Sequence, residues 1–276
     1  MFECVVNVSE GRDLAVLDAL ASASGPSLRD RHHDAFHHRA VFTLIHERAS
    51  LREDVRRLIE TAFTLIDLRA HEGVHPRFGA VDVVPFVALG RAEPADACAL
   101  RDETAHWIAT ALATPVYRYG PLGGGVLRTL PEVRRALRLG LAPDEGPAAT
   151  ASRGAVAVGC RGILVAWNLW LVGVSFDEAR GLARLVRGPA VRALAFDLGD
   201  RVQVSCNLID PTVVRPSDVY DAIESAIESA LGSGRIERAE LVGLIPAALL
   251  EREDPARWDQ LGIGPGVTIE SRSPAL

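Results

Sequence analysis

The chain has 276 residues, of which 48% are hydrophobic and 24% charged, with a formal net charge of −6 at pH 7, so it is long enough to bury one large core or two smaller ones. The acidic balance argues against a generic nucleic-acid-binding surface, and the longest apolar run, 162–176, contains Asn168 and is too short to span a bilayer comfortably. Because the N-terminal residues also lack a secretory signal, we expect a soluble cytoplasmic protein without nucleic-acid or membrane partners.

The first half of the chain predicts the order strand, helix, strand, strand, helix, strand. The second helix is predicted to begin at Ser50, because Glu53 three residues on completes a capping box. Its apolar residues follow the 3.6-residue period of a helix with one buried face. The other predicted elements are strands at Phe2–Val8, 27–34, Arg39–His46 and 81–89 and a helix at Leu14–Ala23.

The second half of the chain predicts the same order again. A capping box of Ser175 and Glu178 begins its first helix. Each half therefore resembles a β-α-β-β-α-β unit, the ferredoxin-like order. We expect an α/β (α+β) fold of two such subdomains, with ligands in a cleft between them. The predicted strands are 163–174, 191–198, 202–209 and 236–245, and the intervening elements are a helix at 95–113, a strand at 115–119 and a Gly/Pro-rich region at 120–154.

The segment 71–86 places two histidines, an arginine and an aspartate between a helix and a strand. The spacing of His71 and His75 matches the zinc-protease pattern H-E-x-x-H, which requires both imidazoles on one face of a continuous helix. Gly73 costs such a helix about 1 kcal/mol relative to alanine, and Pro76 pushes the residue before it out of the α region. The segment therefore predicts no helix and no catalytic zinc, and by spacing alone these are turn histidines.

The four cysteines are widely spaced and form no C-x-x-C pair. This pattern predicts reduced, buried small side chains rather than a disulfide or zinc framework. They are Cys4, Cys98, Cys160 and Cys206.

Several blocks of the sequence, in the same order along the chain, resemble the glutamate formimidoyltransferase (formiminotransferase) family. The longest runs from His71 to Phe86 and is similar to the family's H-x-G-E-H-P-R-x-G-A-x-D-V-x-P-F. The opening residues 3–11 resemble the family's E-C-V-P-N-F-S-E-G. Further matching blocks lie at 128–131, 142–147, 164–168, 203–208 and 240–246.

The resemblance implies an activity and an architecture. Members transfer a formimino group from N-formimino-L-glutamate to tetrahydrofolate, the co-substrate, and release glutamate in histidine degradation, with no metal expected. The implied architecture is two subdomains, 1–147 and 148–276, whose sheets stack as layers with helices outside, in a homodimer. The cyclodeaminase domain that is fused to animal members is expected to be absent.

The same resemblance implies a catalytic base. In the reaction a pterin nitrogen attacks an amidine carbon and an amine leaves, so one proton is taken up and one is given back. A histidine suits this work because it titrates near neutrality. The family's base is the histidine directly before Pro-Arg, which corresponds to His75. His71 and Asp82 are expected to act through their neighbours rather than to touch substrate.

The resemblance also implies binding residues. Arg77 and Arg39 are suited to bind a carboxylate of the donor or of folate through two hydrogen bonds. A structural ion pair is an open alternative for both, with Asp82 as the partner in the case of Arg77. Asn7 is expected to line the pocket. The family's folate-contacting segment corresponds to residues 146–154, where glycines allow close approach to a flat pterin but where a plain linker also fits. The matching positions there are Gly146, Pro147, Ser152 and Gly154.

The chain departs from the family pattern at several of these positions. The family's glutamate before the base is Val74, an acid and an asparagine have become His32 and His38, and a tryptophan has become Arg153. These changes put the donor in question more than the fold, and they keep two alternatives open. One is a non-catalytic member that binds folate or another ligand. The other is a metal site in which four histidines converge, namely His32, His38, His71 and His75.

Overall fold

The structure, a computed structural model, describes residues 1–73, 77–230 and 234–273. The chain divides into two compact units, of which the first comprises Met1–Gly162 and the second begins at Ile163. No helix in the described part of the chain is long and apolar enough to cross a membrane.

The first unit is built on a seven-stranded sheet with the order β2-β3-β1-β4-β7-β5-β6. The pairs β4–β7 and β7–β5 are parallel and the other pairs are antiparallel. Its elements are β1 (Phe2–Val8), α1 (Leu14–Ala23), β2 (Leu28–Asp34), β3 (Arg39–His46), α2 (Arg48–Leu65), β4 (Val81–Ala88), α3 (Pro94–Ala111), β5 (Val116–Pro121), β6 (Leu127–Arg128), α4 (Leu130–Arg138) and β7 (Val156–Cys160).

The second unit is built on a four-stranded antiparallel sheet with the order β11-β8-β10-β9. In both units the fourth strand of the β-α-β-β-α-β order pairs with the first, the first with the third, and the third with the second. The predicted ferredoxin-like order is therefore confirmed. The elements of this unit are β8 (Val165–Val172), α5 (Phe176–Val186), β9 (Val191–Asp197), β10 (Val202–Leu208), α6 (Pro216–Ala230), β11 (Arg235–Val242), α7 (Ala247–Leu250), α8 (Trp258–Leu261) and α9 (Ile269–Arg272).

The first sheet has an apolar core on each face. Alternate strand residues such as Val158 pack with α1, α2 and α3 on one face. Their neighbours, such as Ala157 and Tyr119, pack with Val133 of α4 on the other face. Because side chains alternate across a strand, α4 covers the face opposite to the other three helices.

Two helix starts test the predicted capping boxes. Ser175 and Glu178 form the predicted box at α5, where the Ser175 N–H donates to Glu178 Oε2 at 2.7 Å. The box predicted at Ser50 is wrong, because α2 already begins at Arg48 and follows Glu47 without a side-chain cap. A capping motif that lies inside a helix does not mark where that helix begins.

The region 120–154 contains more regular structure than its Gly/Pro content predicted. A capping box of Thr129 and Glu132 and a proline in the first turn start α4, which is a standard helix signal. Strand β7 follows, and its pairing with β4 and β5 places residues 156–160 in the first unit. The boundary predicted after residue 147 lies before this strand.

The prediction that all four cysteines are reduced is wrong for two of them. Cys98 of α3 and Cys160 of β7 form a disulfide, with their Cα atoms 5.1 Å apart. The insertion of β7 between β4 and β5 brings Cys160 beneath α3, and sequence spacing cannot show this contact. Cys4 and Cys206 are free and buried, as predicted.

Candidate functional site

A β-bulge sets the direction of Asp82, a fully buried aspartate of β4. Val84 and Phe86 face the main core, so strict alternation would turn residue 82 into it as well. The register of β4 against β1 shifts between Asn7 and Val8, and Val81 takes the core position instead. Asp82 is thereby freed to meet polar partners, as bulges often do beside functional sites.

Arg39 joins Asp82 to the neighbouring strands. Its Nη1 donates to Asp82 Oδ2 at 2.5 Å. Its Nε and Nη2 donate to Asn7 Oδ1 at 3.1 and 2.9 Å. The two predicted binding residues Asn7 and Arg39 are thus in direct contact, and Arg39 forms a direct ion pair with Asp82.

Arg134 of α4 is a second cation at Asp82. Its Nη2 lies 3.5 Å from Asp82 Oδ2, and its guanidinium lies over the ring of Phe78 with 4.7 Å to the ring centroid. The backbone N–H of Phe78 also donates to Asp82. Burial lowers the pKa of Arg134; Asp82 opposes this effect and the charge of Arg39 adds to it.

Arg77 lies next to these groups. Its guanidinium donates to the carbonyl of Gly73 and to Nδ1 of His71. Burial lowers its pKa, Asp82 opposes the shift, and the charges of Arg39 and Arg12 lower it further. Several guanidinium groups therefore share one buried carboxylate, which makes this part of the first unit electropositive.

The hydrogen bonds of His71 define its tautomer. Its Nε2 lies 2.9 Å from the carbonyl oxygen of His38, which can only accept. Its Nδ1 faces Arg77, which can only donate. His71 is therefore a neutral imidazole with the proton on Nε2, and both of its ring nitrogens are engaged.

His38 connects three segments of the first unit. Its ring stacks on that of His71, with centroids 3.9 Å apart and planes 14° from parallel. Its Nδ1 lies 2.8 Å from the carbonyl oxygen of Glu72 and its Nε2 lies 3.1 Å from Oε1 of Glu10. Its backbone has a φ of 50°, an uncommon conformation for a non-glycine residue.

The predicted base, His75, lies outside the described residues, together with Val74 and Pro76. On one side of this segment, 71–73 is not helical and His71 has extended dihedral angles of φ −101° and ψ 125°. The expectation of no helix is thus confirmed for 71–73. On the other side Arg77 donates to Gly73, so the two residues that flank the segment are hydrogen-bonded to each other.

Part of the predicted folate segment lies against residues 78–80. Ala80 N donates to Arg153 O at 2.9 Å, and Ala155 N donates to Phe78 O at 3.0 Å. Gly154 has a φ of +69°, and a Cβ there would lie 2.2 Å from the Phe78 carbonyl oxygen. The glycine is therefore required by this close backbone contact whether or not folate binds.

The remaining predicted folate residues lie in different surroundings. Gly146 has a φ of +90° and packs against the carbonyl of Thr114, while Gly146 and Pro147 are both exposed. Ser152 is half-buried and accepts a hydrogen bond from Leu68 N at 2.9 Å. Of the four residues, Gly154 lies beside the start of β4 and Ser152 is hydrogen-bonded to Leu68.

The histidine-rich metal site is not formed by the residues that the structure describes. Within 1–73, 77–230 and 234–273, no group of three or more His, Cys, Asp or Glu side chains is arranged to hold a metal ion. Both ring nitrogens of His38 and of His71 are engaged in hydrogen bonds.

Sequence reasoning did not identify Glu10 and Arg134 as site residues. Glu10 lies in the opening block of family resemblance, which was a usable signal. Arg134 follows the block 128–131 by one helical turn, and recognising the Thr129–Glu132 capping box would have placed it on a helix.

Comparison with known proteins identifies relatives of this chain. Residues 1–161 match the family model of the formiminotransferase domain, N-terminal subdomain. The glutamate formimidoyltransferase of Streptococcus pyogenes serotype M1 is 31% identical over 273 residues, which cover 90% of each chain. That of Thermoplasma acidophilum is 31% identical over 274 residues, covering 91% of this chain and 89% of the relative. The formimidoyltransferase-cyclodeaminase of Rattus norvegicus is 31% identical over 278 residues, which cover 91% of this chain and 51% of the relative.

Proposed function

The chain belongs to the formiminotransferase family, and we propose that it moves a formimidoyl group from N-formimino-L-glutamate to tetrahydrofolate. It is a transferase by this membership. The proposal includes the donor, the folate acceptor, a place in histidine degradation, a homodimer and the roles of individual site residues.

The observation that carries the proposal is the excess of guanidinium groups at Asp82. Arg39, Arg77 and Arg134 all interact electrostatically with this carboxylate. Burial lowers the pKa values of Arg77 and Arg134, and the charge of Arg39 lowers them further. A bound anion would relieve the repulsion among these cations. The proposed donor carries two carboxylates, and arginine is the side chain best suited to bind a carboxylate through two hydrogen bonds.

We assign the role of general base to His75, as the family likeness implies. A pterin N–H attacks the amidine carbon, and its proton passes to His75. The tetrahedral centre then collapses, the bond from carbon to the glutamate nitrogen breaks, and His75 returns the proton to that nitrogen. Glutamate leaves as the free amine, so protons and electrons balance without a further reactant.

For the acceptor, we propose that folate contacts the segment 146–154. The hydrogen bonds of Arg153 and Ala155 to residues 78–80 support this, because they hold the end of the segment beside the strand that carries Asp82. Ser152 and Gly154 would then lie closer to the reacting groups than Gly146 and Pro147, which are exposed.

The decisive experiment compares His75→Gln with His106→Gln. His106 is a histidine of α3 whose side chain is 70% exposed, so it controls for the loss of any histidine. With formiminoglutamate and tetrahydrofolate as substrates, we expect kcat of His75→Gln to fall about 10²- to 10⁴-fold. His106→Gln should match the wild type. Full activity in His75→Gln would remove this residue from the role of base.

A second experiment tests the carboxylate site. Arg39→Lys keeps the charge but loses the paired hydrogen bonds, so the KM for formiminoglutamate should rise more than the KM for tetrahydrofolate. The exposed Arg180→Lys should change neither. Tight folate binding without any turnover in the wild type would instead identify a non-catalytic binding protein.

A further inference from the structure

We propose that His38 is a positioning residue that holds Glu72 and His71 in place through its ring and its backbone. The proposal deepens the proposed function and rests on it in one respect, since these residues lead directly into the segment that carries His75. The hydrogen bonds on which it depends all lie among described residues.

The ring of His38 connects Glu72 to Glu10, which lies just after β1. Its Nδ1 donates to the Glu72 carbonyl at 2.8 Å, and its Nε2 lies 3.1 Å from Glu10 Oε1. A carbonyl and a carboxylate are both acceptors, so both contacts are satisfied together when both ring nitrogens carry protons. A carboxylate on one side of the ring thus supports the hydrogen bond on the other side.

Glu10 is a firm anchor for this ring. Its Oε1 accepts the backbone N–H groups of Gly11, Arg12 and Asp13 at 2.8, 2.7 and 2.9 Å. Burial raises its pKa, but the backbone donors and the charge of His38 outweigh burial, and the net pKa lies below the ordinary value. The carboxylate is therefore charged, and three backbone N–H groups hold it where it contacts His38.

His38 also holds His71 directly. The His38 carbonyl accepts from His71 Nε2 at 2.9 Å, and the two rings stack at 3.9 Å. Packing beside them is tight, because a Cβ on Gly73 would lie 2.6 Å from the His37 carbonyl oxygen and 2.9 Å from the Cβ of His38. Residues 71–73 are thus fixed by ring, backbone and packing contacts to one turn.

The backbone of His38 adopts a left-handed conformation. A histidine at a φ of 50° carries a strain of roughly 1 kcal/mol or more. Glycine adopts this conformation freely, and asparagine adopts it more readily than most residues. Histidine is also among the non-glycine residues enriched at positive φ, and here its side chain adds two hydrogen bonds and a stacked ring that the turn alone does not require.

Three substitutions separate the ring from the turn. His38→Gly relieves the backbone and removes the donors, His38→Ala removes the donors and keeps the strain, and His38→Asn keeps a donor and suits the turn. We expect kcat to fall about 10- to 100-fold in the Gly and Ala variants, the cost of misplacing a reacting group by about 1 Å. The KM values should change less, and His38→Asn should restore most of kcat.

Hydrogen exchange provides a measurement that does not depend on the substrate. Amides in peptides covering residues 71–80 should exchange faster in His38→Gly and His38→Ala than in the wild type, and His38→Asn should be close to the wild type. Glu10→Gln, which leaves His38 in place, should give an intermediate rate. His33→Ala, at an exposed histidine of β2, is the matched control and should change nothing.

The outcomes distinguish the two proposals. Unchanged exchange in both His38→Gly and His38→Ala, at unchanged circular dichroism, would overturn the positioning role. Faster exchange in a protein that transfers no formimidoyl group would retain the positioning role and refute the proposed function. A kcat that His38→Gly preserves would reduce His38 to a turn residue.

Discussion

The two units have the same order of strands and helices but different connections. In the first unit, residues 66–80 join α2 to β4 and contain His71, Gly73 and Arg77. In the second unit, residues 231–234 alone join α6 to β11. Because the order of four strands is the same in both units, the sheets provide a common frame, and the longer connection of the first unit carries the residues of the proposed site.

The two units also use a carboxylate on their fourth strand differently. Asp82 of β4 faces the guanidinium groups of Arg39 and Arg134. Glu240 of β11 accepts a hydrogen bond from the indole N–H of Trp170 at 2.9 Å, with Arg238 at 3.4 Å. The first acid is fully buried and balances buried charge, while the second is partly exposed and bonds mainly across its own sheet.

The largest difference is expected when each acid is neutralised. Asp82→Asn leaves buried cations without their counter-charge and should lower the free energy of unfolding by about 3–5 kcal/mol. Glu240→Gln should cost about 1 kcal/mol, because its partners remain hydrated or can bond to an amide. Urea unfolding of both variants tests this, and equal losses would refute the distinction between the two acids.

Loss of the disulfide should cause the next largest decrease in the free energy of unfolding. Among the described residues, this bond is found in the first unit and has no counterpart in the second. Cys98 and Cys160 are separated by 62 residues, a loop whose closure contributes about 4 kcal/mol in the chain-entropy model. The Cys98→Ser/Cys160→Ser double variant should therefore unfold at a clearly lower urea concentration. Added reductant should destabilise the wild type and leave the double variant unchanged; a wild type insensitive to reductant would contradict the bond.

The smallest effect is expected from pH, and it should appear in both units. The pKa of Glu10 is lowered because its backbone donors and His38 outweigh burial, and that of Glu178 is lowered by hydrogen bonds from Ser175. A lowered pKa stabilises the fold above the ordinary value of 4.5, and this contribution is lost as pH falls through the folded-state pKa.

Glu10→Gln and Glu178→Gln should therefore each reduce the melting temperature at pH 7 and have progressively less effect as the pH falls below 4.5. Only Glu10→Gln should also speed exchange in residues 71–80. A melting-temperature difference that persists unchanged at low pH would mean that these carboxylates act through packing instead of charge.

The sequence predicted the repeated frame because its signals are local. Apolar periodicity and the Ser175–Glu178 box identify elements through neighbours in the chain. The bulge at Asp82 and the Cys98–Cys160 bond were not predictable in this way, because each depends on a strand that is distant in sequence.

The sequence likewise predicted some residues of the candidate site and missed others. Asn7, Arg39, Arg77 and Asp82 were singled out, and the structure brings them together. Arg134 was missed because it lies in a region whose glycines and prolines masked a short helix. The tautomer of His71 could not be deduced because it depends on Arg77 and on a backbone carbonyl of another turn.

The position of β7 has a consequence for how the chain assembles. This strand lies between β4 and β5 in the sheet although it follows both in the chain. While the chain emerges from the ribosome, β4 therefore has an open edge and β5 has no neighbour on that side until residues 156–160 have been made. Such distant pairing slows folding and leaves an exposed strand edge in the nascent chain, which favours capture by chaperones and misassembly.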